Sequence, residues 1–77
     1  MAPHDAVEGY NAILLACASR GDYASAAVWF QAMSQLGVQP NKDSYDNMIQ
    51  ACAMDGMIQE AESWVIKMVR HLSLIHI

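Results

Sequence analysis

The side chains of this 77-residue chain best suited to chemistry are Cys17 and Cys52, His4, His71 and His76, and a set of amides and acids headed by Asn11, Asn41 and Asp46. A thiolate beside an imidazole would make a nucleophile, and Cys and His at short spacing would hold zinc. Neither pattern is present, because the three histidines have no Cys or acidic partner at metal-ligand spacing. No His-x-Glu accompanies a Cys-x-x-Cys pair, no nucleophile stands beside a base, and no Gly-rich stretch could cradle phosphate. The expectation is a noncatalytic chain with no metal, no cofactor and no small-molecule substrate.

Cys17 and Cys52 instead belong to a repeat. Tyr10 recurs as Tyr45 at an offset of 35 residues, and the same offset pairs Ala16 with Ala51, Ala18 with Ala53, Gly21 with Gly56, Ala26 with Ala61, Trp29 with Trp64 and Met33 with Met68. An ungapped match of this kind marks stacked structural units. Helices in such a stack lie roughly 8–10 Å apart, too far for a disulfide, so both cysteines read as small buried hydrophobes.

The elements that carry these residues follow from periodicity. Tyr10, Ile13, Leu14 and Cys17 fall at i, i+3, i+4 and i+7, which places one apolar stripe on a helix over about 7–19. Gly21-Asp22 breaks it, and a second helix over about 23–35 carries Ala26, Trp29, Phe30 and Met33. Gly37-Val38-Gln39-Pro40 closes the unit, since Gly suits the left-handed position after a helix and Pro cannot continue one. The second unit repeats the logic with Tyr45, Met48, Ile49 and Cys52, a turn at Asp55-Gly56, and Ile58, Ala61, Trp64, Val65 and Met68. The fold class expected is all-α, two helix-turn-helix hairpins giving four helices stacked as an α-solenoid fragment. Ala16 and Ala51, like Ala26 and Ala61, suit close approach of neighbouring helices, and Trp29 and Trp64 read as core or inter-repeat residues before they read as base-stacking platforms.

Composition agrees with a packed chain. The hydrophobic fraction of 55% is too high for a disordered segment and the charged fraction of 16% is below the globular average. No apolar run approaches the roughly 20 residues of a membrane span, so a soluble chain with no membrane role is expected. The N-terminus has no basic residue before Arg20 and resembles neither a secretory signal nor an Arg-rich transit peptide.

A 35-residue hairpin that opens Tyr10-Asn11, turns at Gly21, continues Ala26, Trp29-Phe30 and Met33, and closes Gly37-Val38-Gln39-Pro40-Asn41 resembles the pentatricopeptide repeat. The second unit carries the likeness through Tyr45-Asp46, Gly56, Ala61, Trp64, Val65 and Met68. The nearest competitor, the tetratricopeptide repeat, has a 34-residue period and a protein-binding groove. The organisation expected is a lead-in or end of a preceding repeat over 1–6, a first repeat over 7–41, a truncated second repeat over 42–71 and a non-native tail over 72–77. The offset from Gly37 and Pro40 calls for Gly at 72 and Pro at 75, where Leu72 and Ile75 stand, and Leu72-Ser73-Leu74-Ile75-His76-Ile77 resembles the translation of a sequencing-library adapter. A fragment of a longer array, helical but marginal or self-associating alone, is the expectation.

The resemblance implies single-stranded RNA as partner, one base per repeat, in mitochondrion or plastid. It implies that the residue after the first-helix tyrosine and the residue after the closing proline choose the base. These are Asn11 and Asn41 in the first unit, a pair resembling the family combination for a pyrimidine; Asp46 and His76 stand there in the second, and no base is assigned to them. An amide offers both a donor and an acceptor to a base edge. Asn41 also suits the N-cap of the following helix, Asn11 also suits a solvated surface, and Asp46 also reads as a solvated acid. Glu8 and Asp43 stand at the base-flanking positions, where the family more often has an aliphatic residue, and Ser19 and Met54 stand where it often has Lys. Four Lys and Arg against eight Asp and Glu give a net charge of −4, contrary to the usual source of nucleic-acid affinity. Two other readings stay open: a solenoid that grips another protein, and an array followed by a catalytic domain such as a deaminase or nuclease, of which these residues carry nothing.

Overall fold

The computed structural model describes residues 3–76 of the backbone and the side chains of residues 6–74. Four helices run in order: α1 (Pro3–Ser19), α2 (Tyr23–Gln35), α3 (Lys42–Met54) and α4 (Ile58–His76). No strand occurs among the described residues. The all-α, four-helix expectation holds.

Each hairpin turn has a local cause. Gly21 takes φ +66, a left-handed conformation that costs an L side chain roughly 1–2 kcal/mol. That conformation lets the Gly21 amide donate to Ala18 O at 3.0 Å and the Asp22 amide to Cys17 O at 3.0 Å, which satisfies the last carbonyls of α1. Gly37 and Gly56 end α2 and α3 with the same pair of bonds. Asp22 then caps α2 by accepting from the Ser25 amide at 3.2 Å.

Two helix boundaries differ from the sequence expectation. α1 begins at Pro3, four residues before the helix start expected near residue 7; proline is preorganised for the first helical position, where its missing N–H has no intrahelical acceptor to lose. α4 continues to His76, through residues expected to lie outside the repeat as a tail. Leu72 stands where Gly would have supplied the left-handed stop, and no residue over 72–76 is Gly or Pro, so nothing local ends the helix.

α1 packs on α2 and α3, and α3 packs on α4 and α2, so α1 and α3 form one layer and α2 and α4 the other. The shortest dimension of the molecule, 17 Å, corresponds to about two helix spacings. Leu14, Met33, Met48 and Cys52 fill the centre without solvent exposure. Among the described residues, α2 and α4 make no close backbone contact, and side chains bridge them. Trp64 meets Phe30 edge-on at 4.6 Å between ring centroids and donates its indole N–H to Tyr23 Oη at 3.1 Å. Trp64 is thus the inter-repeat residue expected. Trp29 is not its equal: it is 41% exposed, and its nearest ring is Tyr10 of its own hairpin at 6.4 Å. Ala16, expected to pack like Ala51, is exposed as well, while Ala51 is buried. Both corrections have one reason, that the junction between repeats uses opposite faces of its two units.

Candidate nucleic-acid interface

The α1 and α3 layer carries the residues singled out by sequence. α3 is preceded by Asn41, whose extended backbone and side chain form its N-cap, and Ser44 three residues later completes a capping box. The Ser44 amide donates to Asn41 Oδ1 at 3.2 Å, and the Asn41 amide donates to Ser44 Oγ at 3.1 Å. Asn41 therefore is a cap, and it does more than cap. Asn11, 30 residues earlier on α1, donates from Nδ2 to the same Asn41 Oδ1 at 2.9 Å. Ser44 Oγ in turn donates to Asn11 Oδ1 at 2.5 Å, and Asn47 Nδ2 donates to the Asn11 carbonyl at 3.2 Å.

Sequence reasoning placed Asn11 and Asn41 as a pair and missed the two residues that hold them. Ser44 is fully buried, and Asn47 is half-buried one turn further along α3. The Asn-x-x-Ser spacing of 41 and 44 was the available signal for the first. Nothing in the repeat pointed to Asn47, because its counterpart at the 35-residue offset is Ala12.

Beside this network, Glu8, Asn11, Ala12 and Leu15 of α1 and Asp43, Asp46 and Asn47 of α3 line an open cleft of about 260 Å³. The structure thus brings Glu8, Asp43 and Asp46 to one cleft with Asn11, while Asn41 lies outside its lining. Asp46 accepts an ion pair from Lys42 Nζ at 2.7 Å, four residues back on the same helix. That bond and the Asp46 charge hold the Lys42 ammonium above its ordinary range. An exposed pair of this kind contributes little to stability, but it engages the Lys42 ammonium with an acid of the cleft wall. Elsewhere Arg20 lies 3.8 Å from Asp22, and Lys67 stands 4.4 Å over the Trp64 ring. The cleft is acidic, so a polyanion would gain its contacts there from hydrogen bonds and from the apolar surface of Ala12 and Leu15, and not from charge.

Among the described residues, the remaining reactive groups do not gather into a site. Cys17 and Cys52 are free and buried. Burial pushes the Cys52 thiol up, and nearby Glu60 and Asp55 push it the same way, which keeps it a thiol and a poor nucleophile. His71 serves the fold: its ring packs 5.3 Å from Tyr45 and its Nε2 lies 3.0 Å from the Pro40 carbonyl. The side chains of His4 and His76 lie outside the described residues. No helix among the described residues is long and apolar enough to cross a membrane.

Comparison with known proteins gives this arrangement its context. The chain is 29% identical over 55 residues to pentatricopeptide repeat-containing protein At4g33170 of Arabidopsis thaliana, covering 71% of this chain and 6% of that protein. It is 25% identical over 68 residues to the mitochondrial pentatricopeptide repeat-containing protein At1g77170 of the same plant, covering 88% of this chain and 15% of that protein. The chain therefore spans a small part of the length of these curated relatives. No solved structure matches it. The profile of the PPR repeat family matches residues 5–54 and that of the PPR repeat matches residues 43–71, which together take in both hairpins. A pair of helical hairpins at a 35-residue offset, with an amide pair across their junction and matched over most of its length by these profiles, the chain belongs to the pentatricopeptide repeat family.

Proposed function

We propose that this chain is part of a modular array that binds single-stranded RNA, as proteins of its family generally do in organelles, with one base addressed per repeat. Asn11 and Asn41 choose that base, Glu8 and Asp43 flank it, and Asp46 stands at the corresponding first position of the second repeat. The observation that carries this reading is the 2.9 Å bond from Asn11 Nδ2 to Asn41 Oδ1. It ties residues 30 apart into one polar group at the junction of two repeats, beside an open cleft. The array would act in RNA processing, stability, editing or translation in mitochondrion or plastid. Residues 7–41 and 42–71 form its two repeat units. These residues contribute RNA contacts and no catalytic group.

The acidic cleft favours a second reading. Glu8, Asp43 and Asp46 would suit a basic segment of another protein, as in a tetratricopeptide-like interaction solenoid. Titration of the full-length protein with fluorescent single-stranded RNA at low salt separates the two. The RNA reading expects binding that weakens about tenfold when Asn11 and Asn41 are both changed to alanine, a loss in the range of a good bidentate base contact. Absence of RNA binding, with recovery of a basic protein partner, would replace it with the interaction reading.

A further inference from the structure

We propose that Ser44 is a positioning residue for base selection, fixing the rotational state of both amides so that the pair turns N–H donors outward. The proposal rests on the RNA-binding reading and adds to it a residue and a polarity.

The polarity follows from one fixed donor. The backbone amide of Ser44 can only donate, so the Asn41 atom 3.2 Å from it must be the oxygen. The Asn11 atom 2.9 Å from that oxygen must then be the nitrogen, since two oxygens at that distance repel. Asn11 Oδ1 is left facing the Ser44 hydroxyl at 2.5 Å, and the hydroxyl must donate to it. Ser44 Oγ also lies 3.1 Å from Asn41 Oδ1, but its one proton goes to the shorter contact. The Asn41 amide, donating to Ser44 Oγ at 3.1 Å, closes the ring.

Counting what the ring uses gives what it leaves. Asn41 Oδ1 accepts from both the Ser44 amide and Asn11 Nδ2, so both its lone pairs are taken. Among the described residues, the Asn41 NH2 keeps two hydrogens and the Asn11 NH2 keeps one, against one remaining lone pair on Asn11 Oδ1. Asn41 is exposed, so its donors face solvent. On the Watson–Crick edge, cytosine and uracil each carry two acceptors, whereas adenine and guanine each carry one. A donor-rich reader therefore matches a pyrimidine edge, and Ser44 supplies that match without touching the base. Being fully buried, it cannot contact RNA itself. The Ser44 amide fixes Asn41, a hold that S44A keeps, whereas the Ser44 hydroxyl fixes Asn11 by taking up its Oδ1, so that removing the hydroxyl loosens Asn11 alone.

The test compares the 77-residue chain with S44A and S44T. Tetramers of C, U, A and G at millimolar concentration are titrated by NMR, and exchange of the Asn11 side-chain amide is followed in the same spectra. S44A is expected to lower the ratio of pyrimidine to adenine affinity by about fivefold or more and to speed that exchange, with S44T restoring both. A loss of helix stability alone would weaken all four tetramers in proportion and leave the ratio in place. An unchanged ratio in a folded S44A overturns the proposal. Should S44A lose its helicity, the wild-type chain decides: a slowly exchanging Asn11 amide supports the ring, and exchange at the rate of a free amide overturns it. If the wild type binds no tetramer, the RNA reading is decided by the full-length titration above, and the ring is judged by exchange, equal rates in wild type and S44A overturning it and faster exchange in S44A supporting it.

Discussion

At matched positions of the two repeats, identical residues sit in opposite surroundings. Trp64 is 7% exposed and Trp29 is 41% exposed. Ala18 is buried and its counterpart Ala53 is exposed, while Ala51 is buried and its counterpart Ala16 is exposed. Tyr23 and Phe30 are half-buried beneath Trp64, and their counterparts Ile58 and Val65 are exposed. Among the described residues, only Cys17 and Cys52 are fully buried as a matched pair. The difference separates two kinds of recurring residue. Those buried in both repeats hold a hairpin together, and those buried in one repeat define the directed face by which one hairpin meets the next.

Breaking that comparison is easiest at the tryptophans. Trp64→Ala removes an indole packed on Phe30 and Tyr45 and leaves the Tyr23 hydroxyl without its donor, a loss of about 3–5 kcal/mol. Trp29→Ala removes a side chain with one aromatic neighbour and should cost about 1 kcal/mol or less. Urea unfolding followed by circular dichroism measures both. Equal losses would mean that the two faces are energetically alike and that the exposure difference carries no weight.

A smaller effect sharpens the same point at the alanines. Ala18→Leu forces extra carbons into a site with no solvent exposure and should destabilise by about 1–3 kcal/mol. Ala53→Leu, at the exposed counterpart, should stay within about 0.5 kcal/mol of wild type. Thermal midpoints of the two variants under one buffer suffice for this, and a shift of similar size in both would remove the directional reading of the interface.

Much of this architecture was legible in the sequence, and the limits have physical causes. Period, helix number and turn positions are local properties, written in Tyr10 and Tyr45, in the apolar spacing, and in Gly21 and Gly56. Which member of a matched pair is buried is not local. Trp29 and Trp64 share an Ala three residues before and a Met four residues after, and that pattern does not say which of them the stack buries. The end of α4 was missed for the opposite reason: the repeat pattern stops at His71, but helix propensity over 72–76 does not. At the candidate site the amides were visible as individual residues of suitable chemistry. Their ring was not, because Ser44 and Asn47 have Gly9 and Ala12 as counterparts and so fall outside any repeat-based comparison.

The smallest contrast lies at the second-helix starts. Asp22 caps α2, and its counterpart Met57, which precedes α4, has no oxygen to offer. The hydrogen bond from Ser25 holds the Asp22 carboxyl below its ordinary value, with Arg20 adding to the effect. A carboxylate whose folded pKa is depressed stabilises fully above its unfolded value, and that contribution is lost as pH falls through the folded one. Stability of α2 should therefore decline below about pH 4, the ordinary range of an Asp, with an Asp22 midpoint under that range in a carboxyl NMR titration. At α4, Met57→Ser places a hydroxyl three residues before Glu60, the spacing of a capping box. It should add about 0.5–2 kcal/mol at neutral pH. If Met57→Ser leaves the unfolding midpoint unchanged, the start of α4 is already held by its packing, and the two hairpins differ in their faces but not in their caps.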